Sequence, residues 1–328
     1  MSHFITVPTN ENGVYFDPTQ GGLIDEAVAD SPFAFQDFFL YSHGWSTDAD
    51  QSMVNYSQFS VELARQILIL GALQPPPFAN PPSAALGVGL HWPSEITEDP
   101  NSPLNAGQLF TFYTMEHRAD AVGKNAAYAI LRQILRARAK GSALSTRLYL
   151  LGHSFGCKVI CAALQDLQVD IAGGTISVPD GTTFRVVLLE PATDNDNLEA
   201  TDIYGAVSQI ADLRILITKS AKDVALGTWY PLAGRAVNLF NPRAALGSAG
   251  PTADTVTAFG GSAAISVDTG FSASALAGVT SRLVVADLTP VHEARVAQGD
   301  FTGGGFAGSH SDIYFSEVYN MVCGFLFS

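Results

Sequence analysis

Six short apolar runs punctuate the chain: Phe38–Tyr41, Leu86–Leu90, Leu148–Leu151, Val186–Leu189, Ile215–Ile217 and Leu283–Ala286. A strand with one face in water alternates apolar and polar residues, whereas a strand buried on both faces does not. Runs this short and uniform predict central strands, and the helix-sized segments between them supply the crossovers that parallel pairing requires. The fold class that follows is α/β: a mostly parallel twisted sheet with helices on both faces. Phe59, Leu63, Ile67 and Leu70 share one face at helical spacing, as do Val122, Ala126, Ile130 and Ile134. The second set runs on to Arg136, Arg138 and Lys140, cations that suit a helix C-terminus. At the start, Asn12-Gly13 in "ITVPTNENGVYF" separates two apolar stretches like a hairpin turn and predicts an antiparallel beginning to the sheet. At 328 residues the expectation is one domain, 1–328, because α/β units of this size are common. Composition shifts after Asp223. Residues 227–280 are rich in Gly, Ala, Ser and Thr and carry Trp229, Tyr230, Phe240, Phe259 and Phe271, which predicts an inserted, lid-like cover or small subdomain.

Hydrophobic residues make up 47% and charged residues 15%, enough apolar surface to bury a large core. The net charge of −14 would repel a phosphate backbone, so nucleic acid and anionic membrane surfaces are not expected partners. No apolar run reaches the roughly 18 to 20 residues that span a bilayer, and the N-terminus lacks the basic start of a secretory signal. The expected location is cytoplasmic, without membrane insertion. Three cysteines form no disulfide framework. Cys157 and Cys161 stand i, i+4 on a predicted helix and read as buried thiols; with no His-Cys cluster at zinc spacing, no metal is expected. "GVGLHW" lacks the third glycine of a dinucleotide fingerprint and "GHSFGCK" lacks the spacing of a P-loop, so no cofactor is expected either.

The run Leu148–Leu151 ends in Gly152-His153-Ser154-Phe155-Gly156 and hands over to the helix-compatible "CKVICAALQDL". Strand, turn and helix in that order are the context of a nucleophile elbow. A sharp turn holds the serine in a strained conformation, and only residues without large side chains fit beside it. Ser154 would then project above the carboxyl end of the sheet, where the N–H groups of the next helix favour a developing anion.

With "LYSHGW" at 40–45, "HWPSE" at 91–95, "GHSFG" at 152–156, "TKSAKDVAL" at 218–226 and "GSHSDIYF" at 308–315 in this order, the chain resembles the α/β-hydrolase superfamily. Within it, the chain resembles a group of bacterial serine-esterase-like proteins. The 227–280 stretch has no counterpart in that resemblance. It implies His310 as the catalytic base, after the last strand and a glycine-rich approach through Gly303, Gly304, Gly305 and Gly308. His292 in "TPVHEAR" is the runner-up, and His153 reads as a packing neighbour of the nucleophile. For the carboxylate, the resemblance offers two loops. Asp223 follows Leu213–Ile217 and fits the later one; Asp194 and Asp196 fit the earlier but read more simply as capping residues of a solvated turn. Asp223 is preferred. The order Ser154, Asp223, His310 matches that of the fold. The oxyanion hole falls to the backbone N–H of Phe155 and, by resemblance, that of Trp45 behind Gly44.

The expected function is hydrolysis of a small or medium carboxylic ester by a Ser-His-Asp triad through an acyl-enzyme. The elbow does not specify leaving group or acceptor, so thioesterase, amidase and acyltransferase chemistry stay open, as does a non-catalytic binding module on the same scaffold. Trp45, Phe155, Trp229, Tyr230, Phe240 and Phe271 are candidates to line an acyl pocket. Acyl length and oligomeric state are not encoded in any motif.

Overall fold

The structure, a computed structural model, describes residues 3–15, 35–45, 47, 49–73, 85–94, 106–140, 145–237, 243–300 and 308–328, with positions 19, 22 and 24. Phe240 and the approach Gly303–Gly305 lie outside these residues. The apolar runs form β2 (Asp37–Ser42), β3 (Ala85–His91), β4 (Arg147–His153), β5 (Thr183–Leu189), β6 (Leu213–Lys219) and β8 (Leu283–Asp287). Two further strands, β1 (His3–Pro8) and β7 (Ser262–Ser266), complete one sheet in the order β1-β3-β2-β4-β5-β6-β8-β7. All its ladders are parallel.

Helices cover both faces, which explains why the strands show no polar alternation. Leu40, Leu148, Leu150, Val186, Leu188, Ile215 and Ile217 point to one side. There they meet α2 (Ala106–Val122), α3 (Tyr128–Ala139) and α4 (Phe155–Ala172) through Val122, Ile130, Ile134, Val159 and Leu164. The intervening residues Phe39, Tyr41, Tyr149, Leu151, Val187 and Leu189 point to the other side. Phe59 and Leu63 of α1 (Ala49–Gly71) and Val318, Val322 and Phe325 of α9 (Ser316–Leu326) close that face. With period 2 along each strand, both faces are core. Removing a buried Leu from either layer would cost about 2–5 kcal/mol.

The face Val122, Ala126, Ile130 and Ile134 is buried as its spacing predicts, but it spans two helices joined by a π-helical turn at Gly123–Ala127. Gly123 fixes this contact: a Cβ there would stand 2.5 Å from the Val159 carbonyl oxygen and 2.6 Å from Ala162 Cβ of α4. At the amino ends of β2 and β4, Asp37 binds Arg147 at 2.7 Å and the Tyr149 hydroxyl at 2.9 Å. That end is tied together by charge and carries none of the candidate site residues.

The expected antiparallel start is corrected. The Asn12-Gly13 turn does form: Gly13 adopts φ +71°, its N–H donates to Asn10 at 3.0 Å, and Asn10 N–H donates to Val14 at 2.9 Å. Among the described residues it closes one isolated antiparallel bridge, Thr9 to Tyr15. β1 instead pairs in parallel with β3, with Ile5 opposite Val88. An Asn-Gly pair sets local turn geometry; the partner of a strand is set by what it buries. Here Gly13 packs so tightly on the end of α2 that a Cβ would lie 2.7 Å from Val122 Cα.

Residues 227–280 divide. Their first part follows a π-helical turn (Ala225–Trp229) with α5 (Tyr230–Val237) and α6 (Leu246–Ala249). α6 is fixed at the carboxyl edge of the sheet, where Gly247 N–H donates to Pro191 and Ser220 N–H donates to Gly247, both at 3.0 Å. The second part holds α7 (Ala253–Ala258) and β7, which extends the sheet beside β8. β7 reads "SAAIS", with one bulky residue and an alternating exposed pattern, so its edge position left little sequence signal. α8 (Thr289–Ala297) follows β8.

Strand order reverses between β2 and β4: the chain proceeds from β2 outward to β3, and from β4 the other way to β5 and β6. In open parallel sheets the crevice for ligands opens outside the carboxyl ends at such a reversal. His43 and Gly44 follow β2 there, and Ser154 follows β4.

Candidate active site

Ser154 stands between β4 and α4 at φ 56°, ψ −125°, a conformation that costs a non-glycine residue about 1–3 kcal/mol. The surroundings hold it. Ser154 N–H donates to Leu189 at 3.0 Å, and its carbonyl accepts from Cys157 at 3.0 Å and Ala192 at 3.2 Å. The glycines are required by contact. A Cβ on Gly152 would lie 2.6 Å from Cys157 Cα, and one on Gly156 would lie 2.1 Å from the Ser42 carbonyl oxygen. α4 therefore starts directly against the end of β2.

His310 lies in the loop before α9 and receives the serine. Its Nε2 is 2.8 Å from Ser154 Oγ and its Nδ1 is 2.7 Å from Asp223 Oδ2. The carboxylate fixes the tautomer: Nδ1–H donates to Asp223, and Nε2 is left to accept the serine proton. Asp223 is buried, and its Oδ1 accepts the N–H of Leu226 at 2.8 Å. The two loops are stitched together by an antiparallel bridge between Asp223 and Gly308 and by Ser309 N–H donating to Lys222 at 3.2 Å. Gly308, at φ +60°, admits no Cβ, which would meet the Lys222 carbonyl oxygen at 2.6 Å.

The other histidines have different partners. His153 donates from Nε2 to the His310 carbonyl at 2.9 Å and so steadies the backbone of that loop; burial and the neighbouring His310 ring pull its pKa down to about 3. His43 is buried against the Trp92 indole, ring centroids 5.3 Å apart. Its Nδ1–H donates to Gly44 at 2.8 Å while Nε2 accepts Trp92 N–H at 3.3 Å, and burial lowers its pKa to about 3. His292 meets Ser220 Oγ at 2.9 Å and the Asp312 carbonyl at 3.3 Å, not Ser154. Asp194 and Asp196 are also engaged elsewhere, with the Tyr230 hydroxyl at 2.9 Å and Arg243 at 2.5 Å.

For an anion opposite Ser154, the backbone of Phe155 opens α4, and Gly44 brings the loop after β2 close. A Cβ on Gly44 would meet Ser154 Cβ at 2.8 Å, so the chain entering Trp45 runs against Ser154. Of the aromatic candidates for an acyl pocket, Phe155 and Tyr230 are core, and Phe271 packs on the cluster that includes α9. Trp45 and Trp229 are half-buried.

Sequence reasoning did not single out Glu190. It follows β5, is fully buried at φ 43°, and has its Oε2 4.0 Å from His310 Nδ1. Burial, with Asp223 and Asp312 nearby, pushes its pKa well up. His153, Glu190 and His310 offer donor atoms within 4.8 Å of one another, close enough for one metal ion. An ion ligated by His310 would displace Ser154 from Nε2 or Asp223 from Nδ1, so the hydrogen-bonded chain and a metal are competing uses of these atoms. Compared with known proteins, the chain matches no family model and no curated protein. Among the described residues no helix is long and apolar enough to cross a membrane.

Proposed function

We propose that the protein is a serine hydrolase that cleaves small or medium carboxylic esters through an acyl-enzyme. The reading rests above all on the uninterrupted chain Asp223–His310–Ser154, at 2.7 and 2.8 Å, assembled at the reversal of strand order around a strained serine. A tight turn with a capping serine would need neither a histidine on its Oγ nor a buried carboxylate behind that histidine; Ser154 in fact makes no capping bond to α4. The same chain speaks against a binding module on a hydrolase scaffold.

In this reading His310 Nε2 takes the Ser154 proton as Oγ attacks the ester carbonyl. The Nδ1–H of the resulting imidazolium stays on Asp223, whose negative charge it balances. The carbonyl oxygen becomes an oxyanion facing the N–H groups of Phe155 and Trp45, donors on backbone that does not reorganise as charge develops. His310 returns the proton to the departing alkoxide, and a water molecule repeats the sequence to release the acid. Trp45 and Trp229, half-buried, supply apolar surface for the substrate. Hydrolysis of p-nitrophenyl esters of increasing chain length tests the proposal: turnover with a chain-length optimum, abolished in His310→Asn, is expected, and full turnover in that variant would reject it.

A further inference from the structure

The carboxyl group of Glu190 has no task in the chemistry above. β5 ends at Leu189 and delivers Glu190 to the same edge of the sheet that carries Ser154 and Asp223. Its side chain is 0% exposed, and among the described residues neither carboxyl oxygen has a hydrogen-bond partner. Oε2 stands 4.0 Å from His310 Nδ1, the atom that Asp223 Oδ2 holds at 2.7 Å; Oε1 stands 3.7 Å from His292 Nδ1. The backbone keeps it there at φ 43°, with Glu190 N–H donating to Thr218 Oγ1 at 2.7 Å and Gly247 pressed on its carbonyl carbon. An unsatisfied buried carboxyl and a strained backbone are each unfavourable.

We infer that Glu190 is a positioning residue, a second carboxyl set against Nδ1 of His310 that orients the ring and balances its charge when Asp223 cannot. This rests on the serine-hydrolase reading of the site. The groups facing Glu190 are Asp223 after β6, Asp312 in the loop before α9, His292 of α8, His310, and the Cys157 thiol of α4. Two carboxylates beside one imidazole do not ionise together readily, so with Asp223 charged Glu190 keeps its proton. When Asp223 is made neutral, that repulsion goes. Glu190 then releases its proton to solvent, Oε2 accepts Nδ1–H of His310, and Nε2 takes the serine proton as before.

The experiment compares Ser154-dependent ester hydrolysis in the full-length parent, Glu190→Gln, Asp223→Asn and the double variant across pH, with urea unfolding to establish that each is folded. Loss of the acid in a serine triad ordinarily lowers kcat about 10⁴-fold. Here Asp223→Asn is expected to lose only about 10²-fold, and the double variant the full 10⁴-fold, so that E190Q costs far more without Asp223 than with it. The kcat/KM of D223N should also climb with pH through a step above the ordinary carboxylate range, and the double variant should lack that step. A purely packing role would leave the pH profile unmoved. Equal rates in D223N and the double variant, or a D223N profile without the step, would overturn the inference while leaving the triad intact. A parent with no Ser154-dependent turnover would instead remove the hydrolase reading and this inference with it.

Discussion

Replacing Gly156 with alanine adds one carbon where the elbow has no room. The new Cβ would stand 2.1 Å from the Ser42 carbonyl oxygen, 2.5 Å from that of His43 and 2.7 Å from the Ser42 carbonyl carbon. A relaxed carbon–oxygen contact is about 3.3 Å, so the start of α4 and the end of β2 must separate by about 1 Å. Neither can give cheaply. Ser42 is paired to Gly152 in the β2–β4 ladder and to Leu90 in the β2–β3 ladder, and α4 is anchored by Cys157, Val159 and Ile160, all fully buried. The movement falls on Phe155 and Ser154, one and two residues before the clash, and opens the gap to Gly44 and Trp45. Overpacking of this kind costs about 1–3 kcal/mol of stability. A misplacement of about 1 Å between nucleophile, base and oxyanion donors costs about 10²-fold in rate. The assay is kcat/KM on a p-nitrophenyl ester beside urea unfolding, with Gly227→Ala as reference, since a Cβ at Gly227 meets nothing within 4 Å. G156A is expected to lose about 10²-fold while G227A stays within about twofold. A G156A protein with parental kcat/KM would show that the elbow tolerates this separation, and the steric account of both glycines would fall.

Acid should destabilise the fold through His43. Its folded pKa, about 3, lies below the 6.5 of an unfolded histidine, so the unfolded chain binds more protons between these values and stability falls as pH drops below 6.5. At pH 5 the contribution is about 2 kcal/mol, from 1.36 kcal/mol for each of about 1.5 pH units. Unfolding free energies at pH 7 and pH 5 should differ by that much more in the parent than in His43→Asn; equal differences would mean that the ring is charged when folded. The thiols of Cys157, Cys161 and Cys323 are buried, and burial pushes that of Cys161 up to about 12 and the other two upward as well. A colorimetric disulfide reagent should titrate none of them in the native protein and all three in urea, and rapid native labelling would contradict the packing of α4, which holds Cys157 and Cys161, or of α9, which holds Cys323.

The sheet was legible because burial on two faces writes a distinctive pattern. Runs such as "LYLL" and "VVLL" need no partner sequence to be recognised, and each became a central parallel strand. β1 and β7 were harder for opposite reasons. β1 was overshadowed by a strong local turn signal whose described return limb makes an isolated bridge, Thr9 to Tyr15, and β7 carries only Ile265 as a bulky residue at an edge that requires little burial. Ser154 announced itself because a strained turn demands glycines on both sides, a local constraint written within five residues. The distances from Ser154 to His310, and from His310 to Asp223, span 156 and 87 residues of chain, and only the packing of loops over the sheet sets them. Glu190 left no trace of that kind. In "LLEPATD" it reads as the polar end of a strand, and its isolation beside His310 exists only once β5 and β6 lie side by side.

The central claim is that Ser154 is a nucleophile activated by His310. Incubating the intact protein with a fluorophosphonate probe, then mapping the modified peptide, tests it most directly. The account predicts one adduct, on Ser154, formed in the parent and lost in His310→Asn. Labelling spread over other serines, or equally fast labelling of Ser154 without His310, would contradict it.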